Sequence, residues 1–368
     1  MGRVVLVTGV ARDLGRRFAR QLAADAAVDR VIGVDISPPR GDMGAVSFAR
    51  ADIRNPIIAK VIMREQVDTV VHMSVLPPAS SGSGAAAKEL NVIGTMQLLA
   101  ACQQSPDLEH FVLKSSTTVY GSSSRDPAMF SEDMAARRIG AVGFVKDLNE
   151  VEGYVRGFAR RRPDVRVTTL RTASAIGPTL NTPLTAYFKL PVIPTVLGFD
   201  PRMQFLNDTD LIDAIEHATL GDVAGTFNIA GEGVLMLSQA IRRLGRPALP
   251  LPSFAVASVG SAMRQARLAD FSREQVSFLT YGRGVDTTRM REVLGFRPSR
   301  TTAEAFGEFA ASIEPGVVSE RRVRAAETAL LGALGGARAK AAQLTAAVPG
   351  RMAGASVAGS SEEERRGR

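Results

Sequence analysis

Lys146 and Glu150 stand four residues apart in the stretch IGAVGFVKDLNEVE (139–152), a spacing that stacks both side chains on one face of a helix. The stretch lies between a polar, Ser-rich loop and a basic helix, a setting that suits an active-site lysine. Such an ammonium commonly serves to lower the pKa of a neighbouring phenol, by placing a positive charge beside the phenolate. The residue one turn earlier is Val142, which has no proton to exchange, and Phe144 is apolar. The chain has four tyrosines, Tyr120, Tyr154, Tyr187 and Tyr281, and Tyr154 falls two turns beyond the lysine. The lysine of a lysine–phenol pair is present, and the phenol is not where the spacing would put it.

A second constellation is the stretch TGVARDLG (8–15) between a predicted strand and a predicted helix. A dinucleotide site needs a tight turn there, close backbone approach to the pyrophosphate, and a helix N-terminus aimed at the charge. Gly9 and Gly15 meet the first and third needs. Asp35 follows 20 residues after Gly15 at the end of the next strand. A carboxylate there accepts hydrogen bonds from the adenosine ribose and repels a 2′-phosphate, which favours NAD over NADP. Asp52, in ARADIRN, is placed to bind the adenine amino group. The alternative is a βα turn with a purely structural role.

These residues need a scaffold. Val4–Val7, Val31–Asp35, Val46–Arg50, VDTVVHMSV (67–75), His110–Ser116 and Val165–Arg171 read as strands. They are short, apolar and rich in β-branched residues, as strands buried on both faces should be. Leu14–Ala24, Ile57–Glu65, Ala85–Gln104 and the segment holding Lys146 read as the intervening helices, the first with Leu14, Phe18 and Leu22 on one side. The alternation predicts an α/β fold, a doubly wound parallel sheet over residues 1–178, covered on both sides. Prolines break the pattern after Gly177–Pro178. Residues 179–314 read as a smaller substrate lobe interleaved with the last strands of the sheet, including TFNIAG and a helix near Leu237–Leu244. Residues 315–368 are rich in Ala, Gly and Arg; 323–346 suits an amphipathic helix, and the final stretch has too little apolar content to build a core.

Composition narrows the function. The net charge of +8 invites an anionic partner. Its arginines, such as Arg16, Arg17 and Arg20, are scattered along helices without the interleaved aromatics that stack on bases, which argues against nucleic acid. A solvated arginine surface or a phosphate-bearing small molecule fits better. One cysteine, Cys102, in an apolar helical run, leaves no intrachain disulfide or multi-cysteine metal site. The N-terminus runs straight into a strand without a signal-peptide core, and no apolar stretch is long enough for a bilayer. The expectation is a cytoplasmic protein, without membrane attachment or metal.

In order and spacing, TGVARDLG, VD, ADIRNP, VVHMS, NVIGT, SSTTVYG, the Lys146–Glu150 pair, LRTASAIGP and VDTTRMREVLGFRP resemble the extended short-chain dehydrogenase/reductases. The resemblance covers residues 3 to 310 and is closest to the NAD-dependent epimerase/dehydratase branch, which includes UDP-glucose 4-epimerases. It implies a Rossmann fold, NAD, and a nucleotide-sugar substrate. It places the cofactor against Thr8, Gly9, Arg12, Asp13, Leu14 and Gly15, with Asp35 on the ribose and Asp52 with Ile53 on the adenine. His72, Met73, Ser74 and Asn91 would line or steady the cofactor, and Lys146 would hold the nicotinamide ribose. Ser116 would bond the reacting hydroxyl, with Thr117 and Ser174 also on the substrate side. Two of these carry a second reading: Asn91 as a helix brace and His72 as a satisfied strand-end histidine.

The chain departs from the family pattern three times. Arg12 replaces the middle glycine, where it would crowd the phosphates unless it turns to contact them or pairs with Asp13. Ser174 replaces the usual asparagine. Val142 stands where the catalytic tyrosine belongs, and Tyr120 is not the base in ordinary members. One acid–base group is worth about 10²–10⁴ in rate out of total enhancements of at least about 10⁶, so its loss weakens an enzyme without abolishing it. Two functions follow: an NAD-dependent nucleotide-sugar epimerase or dehydratase with atypical acid–base chemistry, or an impaired relative that binds NAD or a sugar nucleotide as a sensor or assembly partner. A homodimer paired through the two long helices is compatible with either.

Overall fold

Apolar runs interrupted by helical spacing fold into one parallel sheet. The structure, a computed structural model, describes residues 2–76, 84–136, 143–252 and 272–314. Val142 and the expectations for 315–368 lie outside those residues. Strands β1 (Arg3–Thr8), β2 (Val28–Asp35), β3 (Ser47–Arg50), β4 (Thr69–His72), β5 (His110–Ser116) and β6 (Arg166–Thr172) follow the sequence expectation. After the short strands β7 (Ser174–Ile176), β8 (Ile193–Val196), β9 (Arg202–Met203) and β10 (Phe205–Asn207), β11 (Gly225–Ile229) returns to the edge of the same sheet. The order is β11-β6-β5-β4-β1-β2-β3, and every neighbouring pair is parallel. Strand order reverses beside β1, and ligands of such sheets lie in the crevice at the carboxyl ends of the strands there.

Strand alternation decides what faces what. Ser115 donates to Glu152 of α5 (Phe144–Arg161) at 2.7 Å, so the odd residues of β5 face that helix. Lys114 and Ser116 therefore face the opposite side, where α7 (Asp208–Leu220) packs against β5 and β6, and against α1 (Asp13–Leu22). The core around the sheet includes Val5, Leu6, Val7, Phe18, Leu22, Phe111, Leu148 and Phe158, all fully buried. Leu211, Ile215, Phe227, Ile229, Val285 and Met290 join it from beyond residue 179. A second apolar cluster gathers Tyr187, Phe188, Phe205, Phe306 and Phe309, with Phe188 edge-on to Phe306 at 5.1 Å.

The long helix expected over 85–104 forms and carries a π-helical turn in its middle. It runs as Gly84–Lys88, a π-helical turn Glu89–Ile93, and a helix Gly94–Gln104. The turn carries Asn91 inward, where its side chain accepts from the Leu76 N–H at 2.9 Å and donates to the Leu76 carbonyl at 2.8 Å. A wide turn of this kind admits one extra residue into the helical ladder. Among the described residues, no helix is long and apolar enough to cross a membrane.

Candidate functional site

The turn after β1 is held by its glycines. Gly9 has φ +85°, a conformation that strains any residue with a β-carbon, and its N–H donates to Val34 at 3.0 Å. Gly15 is buried on α1, and a β-carbon there would run into the Gly9 carbonyl. Only glycine lets the helix start this close to the turn. Asp35 closes the rim: its carboxylate accepts from the Ala11 N–H at 3.0 Å and from its neighbour Ile36 at 2.8 Å.

Arg12 precedes α1 in extended backbone. Burial pulls its guanidinium below the ordinary value, and the negative charge of Asp35 partly offsets that. Asp13 bonds Arg16 at 2.6 Å and faces Arg17 at 3.8 Å, so its carboxylate serves its own helix. Leu14 is partly buried against the core.

Next along the carboxyl edge stands Asp52, in a bidentate pair with Arg54 whose closest contact is 2.7 Å. Hydrogen bonds from Arg54 hold the Asp52 carboxyl below its usual range. Ile53 is buried and presses on Gly94. Met73 and Ser74 are nearly buried beneath Gly9, with the Met73 N–H donating to the Thr8 hydroxyl at 3.1 Å.

The side chain of His72 lies inside the fold. It is fully buried, with Nδ1 2.9 Å from the Thr8 hydroxyl and Nε2 2.8 Å from the Thr95 hydroxyl. Both ring nitrogens are occupied, and the ring ties β1 and β4 to the helix that follows the π turn. Asn91, likewise, braces the segment after β4 through Leu76.

At the end of β5, Ser116 caps a 3₁₀ turn, Thr117–Tyr120. Its hydroxyl accepts from the Thr118 N–H at 3.2 Å and donates to the Thr118 hydroxyl at 3.0 Å. Thr117 is buried beside it. Lys146 lies in the first turn of α5, 3.6 Å from Glu150, as the sequence spacing implied. The helix is tied to the Ser116 turn by Asn149, which donates to the Val119 carbonyl at 3.0 Å. Ser174 starts β7, in register with Phe205 of β10.

Tyr120 is committed elsewhere. Its hydroxyl donates to Asn228 at 2.7 Å and accepts from Arg171 at 2.8 Å. Burial pushes its pKa up, and its bonds brace the fold.

Sequence reading missed Arg283. Its guanidinium donates to the Gly121 carbonyl at 2.8 Å and to the Thr118 and Ser122 hydroxyls at 3.2 Å each, and it lies over the Phe278 ring. Burial lowers its pKa to about 10. Its only signal in the sequence was a cation two residues before the VDTTRM stretch.

A glycine-held turn, an acid on its rim and a doubly wound parallel sheet define a dinucleotide-binding α/β protein. The chain belongs to the NAD dependent epimerase/dehydratase family, whose pattern matches residues 5–230. Its cofactor is accordingly NAD, and the cradle a β-carbon would fill at Gly9 and Gly15 fits that group.

An uncharacterized protein of Mycobacterium tuberculosis is 48% identical over 337 residues, covering 90% of this chain and 89% of its own. Among solved structures, UDP-glucose 4-epimerase of Thermotoga maritima with UDP-glucose is 17% identical, with TM-score 0.65 over 84% of this chain and 98% of its own. The dTDP-glucose 4,6-dehydratase of Bacillus anthracis in complex with NAD is 17% identical, with TM-score 0.63 over 84% and 96%. These structural likenesses show the shared fold.

Proposed function

We propose that this chain is an NAD-dependent enzyme that acts on a nucleotide sugar by reversible hydride transfer, in the manner of an epimerase or dehydratase. The observation that carries the reading is the tie between the Ser116 turn and the Lys146 helix through Asn149, at the carboxyl edge that also holds the Gly9–Gly15 turn. NAD, when bound, supplies the hydride acceptor and donor. The Gly9–Gly15 turn receives its pyrophosphate, Asp35 its adenosine ribose, and Lys146 its nicotinamide ribose. Ser116 orients the reacting sugar hydroxyl. The similar solved structures support the substrate class, because that of the Thermotoga maritima epimerase holds UDP-glucose and that of the Bacillus anthracis dehydratase holds NAD.

The test is whether purified protein carries NAD and converts any of UDP-glucose, UDP-galactose, UDP-glucuronic acid or dTDP-glucose. A second reading, an impaired relative that only binds these ligands, draws on Val142 and on the engagement of Tyr120 by Arg171 and Asn228. NAD binding without conversion across that panel would select it.

Two outcomes test the cofactor assignment. Asp35→Ala is expected to weaken NAD by about 1.5–3 kcal/mol, the worth of hydrogen bonds to a charged group, while relieving repulsion of NADP. Calorimetry that finds NADP already equal to NAD in the wild type would refute the role of Asp35. Gly15→Ala is expected to push α1 off the turn, at about 1–3 kcal/mol of overpacking, with NAD affinity falling alongside stability. An alanine variant that binds NAD normally would show that the turn is not the cofactor cradle.

A further inference from the structure

Lys114 is an unusual residue for a central strand. It sits in the middle of the sheet on β5, in register with the buried Leu170 of β6 and two residues from the buried Val112. Its side chain is partly buried, among the described residues no hydrogen bond or ion pair reaches its ammonium, and desolvation pulls its pKa down to about 8. The charged groups of the helices over this face are engaged with one another. Asp208 of α7 pairs with Arg17 of α1, and Asp210 accepts from Ser299 and the Arg300 N–H. Asp213 and Glu216 bond Gln21, and Arg12 lies in the field of Asp35.

A lysine among apolar side chains runs its stem along the strand toward the nearest polar space. On this face that space is the carboxyl edge, which begins at Ser116. Two residues of strand advance about 6.6 Å, a span that a four-carbon side chain covers. Alternation puts Lys114 and Ser116 on the same side, opposite the Ser115–Glu152 bond. A stem lying along the strand carries the amine toward Ser116, with which it shares no hydrogen bond in this structure.

We propose that Lys114 is the proton-exchange group of this site, doing what a tyrosine at position 142 would do. The assignment rests on the functional reading above. When the sugar is oxidised, its O–H and C–H bonds break and a C=O bond forms. For this the Ser116 hydroxyl exchanges its bond to Thr118 for one to the amine; the sugar's hydroxyl proton then passes through Ser116 to the neutral amine of Lys114, and the hydride, with its two electrons, goes to the nicotinamide ring of NAD. Reduction of the keto sugar returns both. A lysine that is neutral for part of the physiological range can accept and return that proton, which an ordinary lysine cannot do efficiently.

The experiment uses the full chain loaded with NAD. Acetic anhydride labelling followed by mass spectrometry reads the ionisation of Lys114, with half-labelling expected near pH 8. Transient NADH absorbance after mixing with UDP-glucose, UDP-galactose, UDP-glucuronic acid or dTDP-glucose, together with chromatography of the product sugar, reads the chemistry, with a rate inflection near the same pH. Lys114→Met, an apolar replacement of similar length, is expected to lower the rate by about 10²–10⁴-fold with NAD affinity unchanged by calorimetry. Lys114→Arg should move the inflection out of the neutral range.

A methionine variant as fast as wild type, or labelling with an ordinary lysine midpoint above pH 10, would overturn the assignment and leave the functional reading intact. A wild type that binds NAD and oxidises none of these sugars would overturn the functional reading, and the assignment with it.

Discussion

Replacing Arg171 with methionine is expected to cost about 3–5 kcal/mol of folding free energy, the usual consequence of removing one partner of a buried ion pair. Arg171 and Glu152 have side chains only 9% and 3% exposed and meet at 2.8 Å. The arginine Nε bonds both carboxylate oxygens, at 3.1 and 3.2 Å, and Nη1 donates to the Tyr120 hydroxyl and the Glu132 carbonyl at 2.8 Å each. One guanidinium therefore joins β6, α5, the turn after Ser116 and the segment at Glu132. Without it, the Glu152 carboxylate keeps Ser115 and a 3.5 Å contact from the largely exposed Arg156. The loss is mainly the penalty of that stranded charge, so Arg171→Met with Glu152→Met should recover much of it. Urea unfolding of both variants reads the difference. A single variant within about 1 kcal/mol of wild type, the ordinary cost of a point substitution, would refute the account.

The sheet was legible because its strands are buried on both faces, and that burial writes unbroken apolar runs such as Val4–Val7 into the sequence. The Gly9–Gly15 turn and Asp35 were legible because backbone approach demands glycine and the ribose demands an acid, whatever the rest of the chain does. What stayed hidden is long-range pairing. Nothing in the spacing of Thr8, His72 and Thr95 shows that one imidazole bridges two hydroxyls, because the three come from separate elements. Arg171 was visible as a cation in an apolar strand, but its partners arrive from 19 to 51 positions away. The π turn was hidden for a related reason. A wider turn at Asn91 is set by a bond to Leu76, outside the helix whose periodicity was being read. Lys114 belongs to the same class: sequence shows a lysine in a strand, and only the sheet shows that the lysine is central and unpaired among the described residues.

Mild acid should destabilise this protein before its carboxylates titrate. Burial lowers His72 to about 3. Burial, aided by the positive charges of Arg166 and Arg3, lowers His110 to about 4. An unfolded histidine titrates near 6.5, so below that pH the unfolded chain binds protons that the folded chain refuses. The sign is fixed by that difference: the stability contributed by these two groups is present above about pH 6.5 and is lost as pH falls toward 4. At 1.36 kcal/mol per pKa unit per group, the pair should remove about 4 kcal/mol between pH 7 and 5. Carboxylates that burial raises, Glu274, Asp147 and Glu216, work in the opposite sense, and unfolded carboxylates are still mostly ionised at pH 5. The histidines therefore dominate this window. His110 is the better residue to remove, because among the described residues Thr168, 3.1 Å from Nε2, is the one side chain its ring hydrogen-bonds. His110→Phe should halve the fall in unfolding free energy between pH 7 and 5, measured by urea titration. His72→Phe should halve it too, but at a larger cost at pH 7, because the Thr8 and Thr95 hydroxyls both lose the ring that joins them. If stability stays flat from pH 7 to 5, the two imidazoles are not held neutral by burial, and the bridge that fixes β4 at the cofactor edge carries a charge.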